Sequence, residues 1–228
     1  MKKSILTIVG CLLAVIASAQ ASYYIPPKGK VMVYAAKTEK GQTVSLTKQY
    51  LKASSTPNNY VIVSEVYQAP SFVKMEGRTE LAYRLKNGIL YTDPTQFFSQ
   101  SQNATMKYVN ELKQDIIFPV TPKIREKLEG CSMKCYLEGE DGEEGVLMTA
   151  TISNRIVAAK ESVTTPAGTF ECIRYDYDVT NEVMGQKMKS SVRTWYAKDY
   201  GMIKLEMSLE GKKIISNFVL ERIENLVQ

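Results

Sequence analysis

The chain has 228 residues, of which 44% are hydrophobic and 23% charged, and it contains no histidine. The lack of histidine excludes Ser-His-Asp and Cys-His catalytic arrangements, histidine-based zinc sites and histidine acid–base chemistry. The formal charge of +5 is spread along the chain instead of clustering in one basic segment, as it does in nucleic-acid-binding proteins. We therefore expect no nucleic-acid partner, and no motif indicates a metal or a cofactor.

Residues 1–21 have the pattern of a secretory signal peptide. Lys2 and Lys3 precede an apolar run from Ile5 to Ile16, and small residues follow. The run is shorter than the roughly 20 apolar residues of a membrane-spanning helix. We expect cleavage after this segment and a single antiparallel β domain over residues 22–228. This mature protein is expected to be soluble or peripheral to a membrane, and periplasmic or otherwise exported in a Gram-negative envelope.

Alternating hydrophobicity predicts a succession of β-strands in the mature chain. Ile203, Leu205 and Met207, for example, alternate with polar residues, as in a strand with one buried face. In chain order, the predicted strands cover residues 30–37, 43–54, 60–68, 80–86, 89–92, 146–153, 155–164, 169–179, 187–197, 202–209 and 213–223. Short turns such as Asn87 and Gly88 join many of them, which predicts antiparallel neighbours in a meander.

Two places between the strands carry helix-start signals. Asp93 and Pro94 supply an N-cap and a proline at the first helical position. Thr121 and Pro122 repeat this pattern ahead of residues 123–128. Both helices are expected to be short.

The chain between these two signals allows two interpretations. Ala104, Tyr108 and Leu112 have helical spacing, which extends the first helix to about residue 114, whereas a strand over residues 115–120 is equally compatible with the sequence. The expected fold is mainly β. It is a single domain of curved antiparallel sheet, arranged as a meander, an open barrel or a β-sandwich-like structure, with one or two short helices.

The segment TTPAGTFECIRYDY, residues 164–177, contains a turn between two predicted strands. Pro166 fixes φ for the first central position of a turn, Ala167 suits the second, and Gly168 permits a left-handed conformation before the next strand. A phosphate-binding loop would need several glycines at the start of a helix. The sequence therefore predicts a structural hairpin here.

Three cysteines remain after removal of the signal peptide, in a compartment where disulfides persist. If residues 131–137 are extended, the Cα atoms of Cys131 and Cys135 lie about 13 Å apart, which is too far for a disulfide. One of the two would then bond to Cys172 across neighbouring strands. If the segment forms a turn or a helical end, Cys131 and Cys135 can bond to each other. We favour the structural bridge to Cys172.

Two motifs carry a resemblance to a known group of proteins. The segment NRIVAAKESVTTPAGTFECIRYDYDV, followed by RTWYAKDYGMIKLE, resembles the C-terminal half of exported bacterial proteins of the TapB-like family. The shared features are a T-P-A-G-T-F-x-C turn and a W-Y-A-x-x-x-G hairpin, and the resemblance covers roughly residues 145–225. It implies a strongly curved, mostly antiparallel β structure of the YmcC-like type. It implies no activity and no catalytic residues.

Four aromatic residues are candidates for ligand binding. Trp195 and Tyr196 are neighbours in a predicted strand, so their side chains face opposite sides of the sheet, one towards the core and one outward. Phe97 and Phe98 are adjacent in a polar stretch, where they can line or cover an opening. Core packing of Trp195 and anchoring of a short helix by the two phenylalanines are the structural interpretations of the same residues.

Paired carboxylates offer a catalytic route that needs no histidine. Glu161 and Glu171 flank the predicted hairpin turn, and Asp176 and Asp178 share one strand face, which more often indicates a solvated surface. We therefore expect a non-enzymatic, exported cell-envelope protein that binds a hydrophobic ligand such as a lipid, a glycan, or a protein partner. The alternative is a carboxylate-dependent glycan hydrolase. A third hypothesis is a structural subunit that pairs through an exposed sheet edge.

Overall fold

The structure, a computed structural model, describes residues 23–97, 106–109, 114–138, 144–209 and 214–227. The predicted signal peptide and Phe98 lie outside these residues. The described chain contains fourteen strands and one turn of 3₁₀ helix over Pro94–Phe97. The strands are β1 Lys30–Lys37, β2 Thr43–Leu51, β3 Asn59–Gln68, β4 Met75–Lys86, β5 Ile89–Thr92, β6 Met106–Val109, β7 Ile116–Pro119, β8 Lys127–Leu128, β9 Cys131–Glu138, β10 Glu144–Thr165, β11 Gly168–Val183, β12 Gln186–Ala197, β13 Gly201–Leu209 and β14 Ile214–Asn225. Within this part of the chain, no helix is long and apolar enough to cross a membrane.

The strands form one antiparallel sheet that curves until it nearly closes into a barrel. Its order is β6-β9-β10-β11-β12-β13-β14-β1-β2-β3-β4-β5-β7, and β8 pairs separately with β10. The run from β9 to β14 and the run from β1 to β5 are both meanders. They are joined where β1 pairs with β14, from Lys30 opposite Asn225 to Lys37 opposite Asn217. The mainly β, curved antiparallel fold predicted from the sequence is confirmed.

Each predicted strand overlaps a strand of the structure, whereas β6, β8 and β9 are missing from the predicted set. On β11, Tyr175 and Tyr177 face the interior of the sheet, whereas Arg174 and Asp176 form an ion pair on the other face. The predicted strands 146–153 and 155–164 are one long strand, β10. Its register is irregular between Ser153 and Ile156, and Asn154 has a φ of 52°.

The predicted helix over residues 123–128 is wrong. The backbone N–H of Arg125 donates to Val157 O, and the N–H of Val157 donates to Glu126 O, so this segment pairs with β10. Arg125 has a φ of 71°, which no right-handed helix contains. A segment this short gains too little from helical hydrogen bonds to compete with an adjacent strand.

The predicted helix after Asp93 is a single 3₁₀ turn. Asp93 caps it as expected, since its Oδ1 accepts hydrogen bonds from the backbone N–H of Thr95 at 2.9 Å and from the Thr95 hydroxyl at 2.8 Å. The helical extension to residue 114 is wrong because residues 106–109 form β6. The alternative strand over residues 115–120 is confirmed as β7.

Two hydrophobic clusters hold the sheet together. The first fills the interior near β7 and β11, and its buried members are Tyr24, Ile25, Ile62, Leu81, Leu90, Ile116, Phe118, Cys131, Val157, Ile173 and Tyr175. The second lies where the β10–β11 hairpin approaches β1, β13 and β14, and its buried members are Met32, Tyr34, Phe170, Cys172, Trp195, Ala197, Ile203 and Leu220. The hairpin therefore contributes side chains to both clusters.

The predicted disulfide to Cys172 is not formed. Cys131, Cys135 and Cys172 are all buried free thiols. Cys131 lies opposite Ile152 of β10, whereas Cys172 lies opposite Glu161, nine residues further along the same strand. That offset corresponds to about 30 Å, far beyond the reach of a disulfide. Cys131 and Cys135 lie on one extended strand, β9, which also keeps their sulfur atoms apart.

Candidate ligand-binding site

The curved sheet forms a partly open cavity of about 370 Å³, which we call the tyrosine cavity. Its lining combines aromatic rings, aliphatic side chains and a few uncharged polar groups. The lining residues are Tyr24, Pro26, Tyr34, Thr47, Gln49, Ile62, Ser64, Val66, Leu81, Tyr83, Tyr177, Thr194, Tyr196, Met202, Leu205, Ser216 and Phe218. They come from β1, β2, β3, β4, β11, β12, β13 and β14, and from the segment that precedes β1. Their convergence is therefore a result of sheet curvature.

A second cavity, of about 160 Å³, adjoins the first; we call it the arginine cavity. It is lined by Ile116, Phe118, Ile152, Arg155, Tyr175, Tyr177, Val179 and Tyr196. Tyr177 and Tyr196 line both cavities, so these two side chains separate one space from the other. Among the described residues of either lining, Arg155 alone carries a charge.

A β-bulge brings Arg155 into the interior. The irregular register between Ser153 and Ile156 inserts one extra residue into β10, and a bulge of this kind redirects the side chains beside it. Arg155 is 5% exposed as a result. Its Nη1 donates to Glu129 O at 2.9 Å, its Nη2 donates to Ile117 O at 2.8 Å, and its guanidinium lies 5.3 Å from the ring centre of Phe118.

Among the described residues, the groups that contact Arg155 are uncharged. Within the described part of the chain, its hydrogen bonds go to backbone carbonyls and no carboxylate is paired with it. Burial raises the pKa of Tyr175 to about 12 and that of Tyr196 well above its usual value, so both phenols are neutral at physiological pH. Burial also raises the pKa of the nearby Cys131 thiol to about 11. The same desolvation lowers the pKa of Arg155 itself.

An aromatic cluster forms one wall of this region. Tyr24 donates a hydrogen bond to Pro119 O at 2.7 Å and accepts one from the hydroxyl of Tyr175 at 2.5 Å. The rings of Tyr24, Phe118, Tyr175 and Tyr196 meet at centroid separations of 5.1 to 6.2 Å. The hydrogen bonds and edge contacts fix the orientation of these rings, so the wall is preorganised.

The structure separates the predicted aromatic site residues. Tyr196 lines both cavities, whereas Trp195 is 6% exposed in the second hydrophobic cluster and lines neither. The prediction that they face opposite sides is confirmed, but neither points outward, because hydrophobic side chains cover both faces of β12 here. Phe97 ends the 3₁₀ helix, and its side chain, like Phe98, lies outside the described residues.

Of the candidate carboxylates on β10 and β11, Glu171 is exposed, and the other three are held in polar contacts. Glu161 bonds Trp195 and Arg174, and Asp176 pairs with Arg174 at 2.8 Å. The pKa of Asp178 is lowered, most strongly by a hydrogen bond from Asn154 and also by one from Ser191. The described chain also holds no cluster of three or more carboxylates and thiols suited to a metal ion.

Sequence reasoning missed Arg155 and most of the cavity. Tyr175 and Tyr177 alternate with charged residues, which is typical of a strand with one buried face. Arg155 instead lies at the junction of two predicted strands, where the bulge interrupts the alternation. The alternation in the sequence therefore does not mark Arg155 as a residue whose side chain turns inward.

The fold and the site define a class: a strongly curved antiparallel β protein with a cavity of ligand size inside the sheet. A model of the DUF3108-like family matches residues 27–220, so the chain belongs to that family. No curated protein matches the sequence.

Two solved structures share this fold. One is a protein described as exported, with a YmcC-like fold, from Bacteroides fragilis; the TM-score is 0.65 at 19% identity, over 90% of this chain and 100% of that one. The other is a protein described as a lipoprotein from Parabacteroides distasonis; the TM-score is 0.69 at 18% identity, over 90% of this chain and 99% of that one. The expected relationship to exported proteins of YmcC-like fold is therefore confirmed for the architecture.

Proposed function

We propose that this protein is an exported, non-enzymatic binding protein that holds an apolar or amphipathic small molecule in the tyrosine cavity and the adjoining arginine cavity. The tyrosine cavity is the observation that carries the proposal. Its volume of about 370 Å³ is in the usual range for small-molecule sites, roughly 300–1,000 Å³. Its lining is mostly apolar and aromatic with a few hydroxyl and amide groups, which is the composition such sites favour.

Export is supported by the N-terminal segment and by the structural neighbours. Lys2, Lys3 and the apolar run up to Ile16 form a signal-peptide pattern. The neighbours are themselves described as an exported protein and a lipoprotein. We infer a location in the cell envelope, with the periplasm of a Gram-negative bacterium as the compartment.

The direction of two carboxylate pKa shifts favours binding over glycan hydrolysis. A glycosidase needs a general acid that keeps its proton at working pH, and burial usually raises its pKa for this purpose. The hydrogen bond from Trp195 lowers the pKa of Glu161, and that from Asn154 lowers the pKa of Asp178. Both groups are therefore charged at neutral pH and suited to structural ion pairs.

The first test is direct binding of an uncharged fatty-acid ester. The mature protein is titrated with the methyl ester of cis-parinaric acid, whose fluorescence rises in an apolar environment. We expect saturable, stoichiometric binding. In parallel, native mass spectrometry of protein purified gently from the periplasm, followed by solvent extraction, identifies any molecule that is already bound. Unsaturable fluorescence together with a clean apo mass would overturn the proposal.

Filling the cavity locates the binding site. Ser216 lines the tyrosine cavity, so Ser216→Phe places a ring in that space and should weaken binding of the ester about tenfold or more. Ser191→Phe is the matched control, because Ser191 is exposed on β12 and lines neither cavity. Equal binding by the two variants and the wild type would place the ligand elsewhere.

A further inference from the structure

We propose that Arg155 binds the anionic head group of an amphiphile whose hydrocarbon chain passes Tyr177 and Tyr196 into the tyrosine cavity. The head group is a carboxylate or a phosphate monoester. This inference rests on the proposed function, and it adds the chemical class of the ligand and the residue that selects it.

The first argument is the uncompensated charge. Buried charged groups in proteins are normally paired with an opposite charge, because transfer of an ion out of water is costly. Arg155 is 5% exposed and, among the described residues, has carbonyl oxygens as its hydrogen-bond acceptors. Carbonyl groups orient the guanidinium, but they do not neutralise its positive charge, and no carboxylate in the described part of the chain is paired with it.

The second argument is donor capacity. A guanidinium carries five N–H donors, and each terminal nitrogen carries two of them. Nη1 uses one on Glu129 O and Nη2 uses one on Ile117 O. Each terminal nitrogen therefore keeps a second N–H, and a carboxylate or phosphate accepts such a pair of donors in bidentate geometry.

The third argument is the position of the charge. Arg155 lines the arginine cavity together with apolar side chains such as Ile152 and Val179. The tyrosine cavity, which is uncharged among its described lining residues, begins on the far side of Tyr177 and Tyr196. One cation at the end of a long uncharged interior matches an amphiphile with one anionic end.

A purely structural role explains less of this arrangement. Arg155 does tie β10 to β7 through Ile117 O, and stacking on Phe118 adds to that contact. A neutral donor would make the same link without the cost of desolvating a charge. The positive charge is thus the feature that requires a ligand.

The test compares two probes that share one hydrocarbon chain and differ at the head group, which is an anionic carboxylate in one and an uncharged methyl ester in the other. The mature protein is titrated at neutral pH with cis-parinaric acid and with its methyl ester. Charge-assisted hydrogen bonds contribute about 1.5–3 kcal/mol, so the wild type should bind the acid roughly tenfold to a hundredfold more tightly than the ester. Displacement of the bound acid by dodecanoate and by dodecyl phosphate then shows which of the two head groups is preferred.

Three variants assign the preference to Arg155. Arg155→Met should abolish the acid preference, so that the ratio of acid to ester affinity falls to about one, whereas Arg155→Lys should retain part of the preference. Arg193→Met is the control, since Arg193 is exposed on β12, and it should behave as the wild type. Thermal melting checks that each variant is folded; if Arg155→Met does not fold, Arg155→Lys and the wild-type comparison still decide.

The outcomes separate this inference from the proposed function. Equal wild-type binding of acid and ester overturns the role of Arg155 and leaves the proposed binding function intact. An acid preference that persists in folded Arg155→Met also overturns it, because the head group then lies elsewhere. Saturable binding of neither probe overturns the proposed function and this inference with it.

Discussion

Trp195 and Glu161 form a contact that shows how individual residues stabilise the second hydrophobic cluster. The indole Nε1 donates to Glu161 Oε1 at 2.6 Å, and the amino group of Lys204 lies 5.1 Å from the centre of the tryptophan ring. Arg174 approaches Glu161 at 3.2 Å from the other side. The hydrogen bond from Trp195, followed by the charge of Arg174, outweighs desolvation and lowers the pKa of Glu161.

This contact predicts a stability loss in acid. The folded-state pKa of Glu161 lies below its ordinary value of 4.5, so its contribution is present above that pH and is lost as the pH falls through the folded-state pKa. Trp195 is the single tryptophan in the sequence and donates a hydrogen bond to Glu161, so its fluorescence should respond when Glu161 is protonated. We expect an emission change in the wild type below about pH 4.5 that is absent in Glu161→Gln. Glu171→Gln, an exposed control, should retain the change, and a transition that survives in Glu161→Gln would refute the assignment.

The β10–β11 hairpin is the element in which sequence and structure agree best. Thr165 pairs with Gly168, Pro166 and Ala167 form the turn, and the N–H of Ala167 donates to Thr165 Oγ1 at 3.2 Å. Beyond the turn, the ring of Phe170 packs on Tyr200 at 5.0 Å. The structural interpretation of the turn is confirmed, because its residues bond to each other and place the next strand in the core.

Gly168 is the residue on which this turn depends. Its φ of 137° is rarely adopted by residues with a side chain, so Gly168→Ala should lower the free energy of unfolding by about 1–3 kcal/mol. Gly77→Ala in β4 is the matched control, since a Cβ there meets no atom within 4 Å and the backbone φ is not positive. Urea denaturation of the mature protein measures both. Equal unfolding midpoints for the two variants would contradict the conformational argument.

On the scale of the whole molecule, backbone pairing does not close the sheet into a complete barrel, and side-chain contacts link the edge strand β7 to strands across the opening. The sheet order ends with β6 on one side and β7 on the other. Tyr24 joins Pro119 of β7 to Tyr175 of β11, and Arg155 of β10 reaches Ile117 of β7. Tyr24, near the start of the described chain, therefore helps to hold the edge strand β7 against β11 beside the arginine cavity.

Removal of the Tyr24 ring tests this closure. Tyr24→Ala deletes two hydrogen bonds and a buried ring, so we expect a loss of about 3–5 kcal/mol in the free energy of unfolding, as for other large buried aromatics. Tyr200→Ala, which removes a 38% exposed ring, should cost far less. Affinity for methyl parinarate should also fall in Tyr24→Ala, because Tyr24 lines the tyrosine cavity. A Tyr24→Ala protein as stable as Tyr200→Ala would show that β7 is held against β11 without this ring.

The sequence predicted correctly those elements whose conformation depends on residues close together in the chain. The strands β1 and β5 were predicted to the residue, and Asp93 caps a turn as its pattern indicated. It failed where a neighbouring strand decides the outcome, as at residues 123–128, which pair with β10. It also failed for Cys172, because the pairing of β9 with β10 and of β10 with β11 sets the distance between Cys172 and Cys131.

The sequence by itself determined the signal-peptide pattern, the alternation that makes the strands, the turns that make neighbours antiparallel, and the absence of histidine chemistry. Only the tertiary structure decided that the sheet curls around a tyrosine-lined cavity and that a bulge turns Arg155 into the adjoining arginine cavity. The physical reason is the distance along the chain over which each effect acts. Alternation and turn preferences act between residues a few positions apart, whereas curvature and cavity lining depend on the accumulated twist and register of many paired strands.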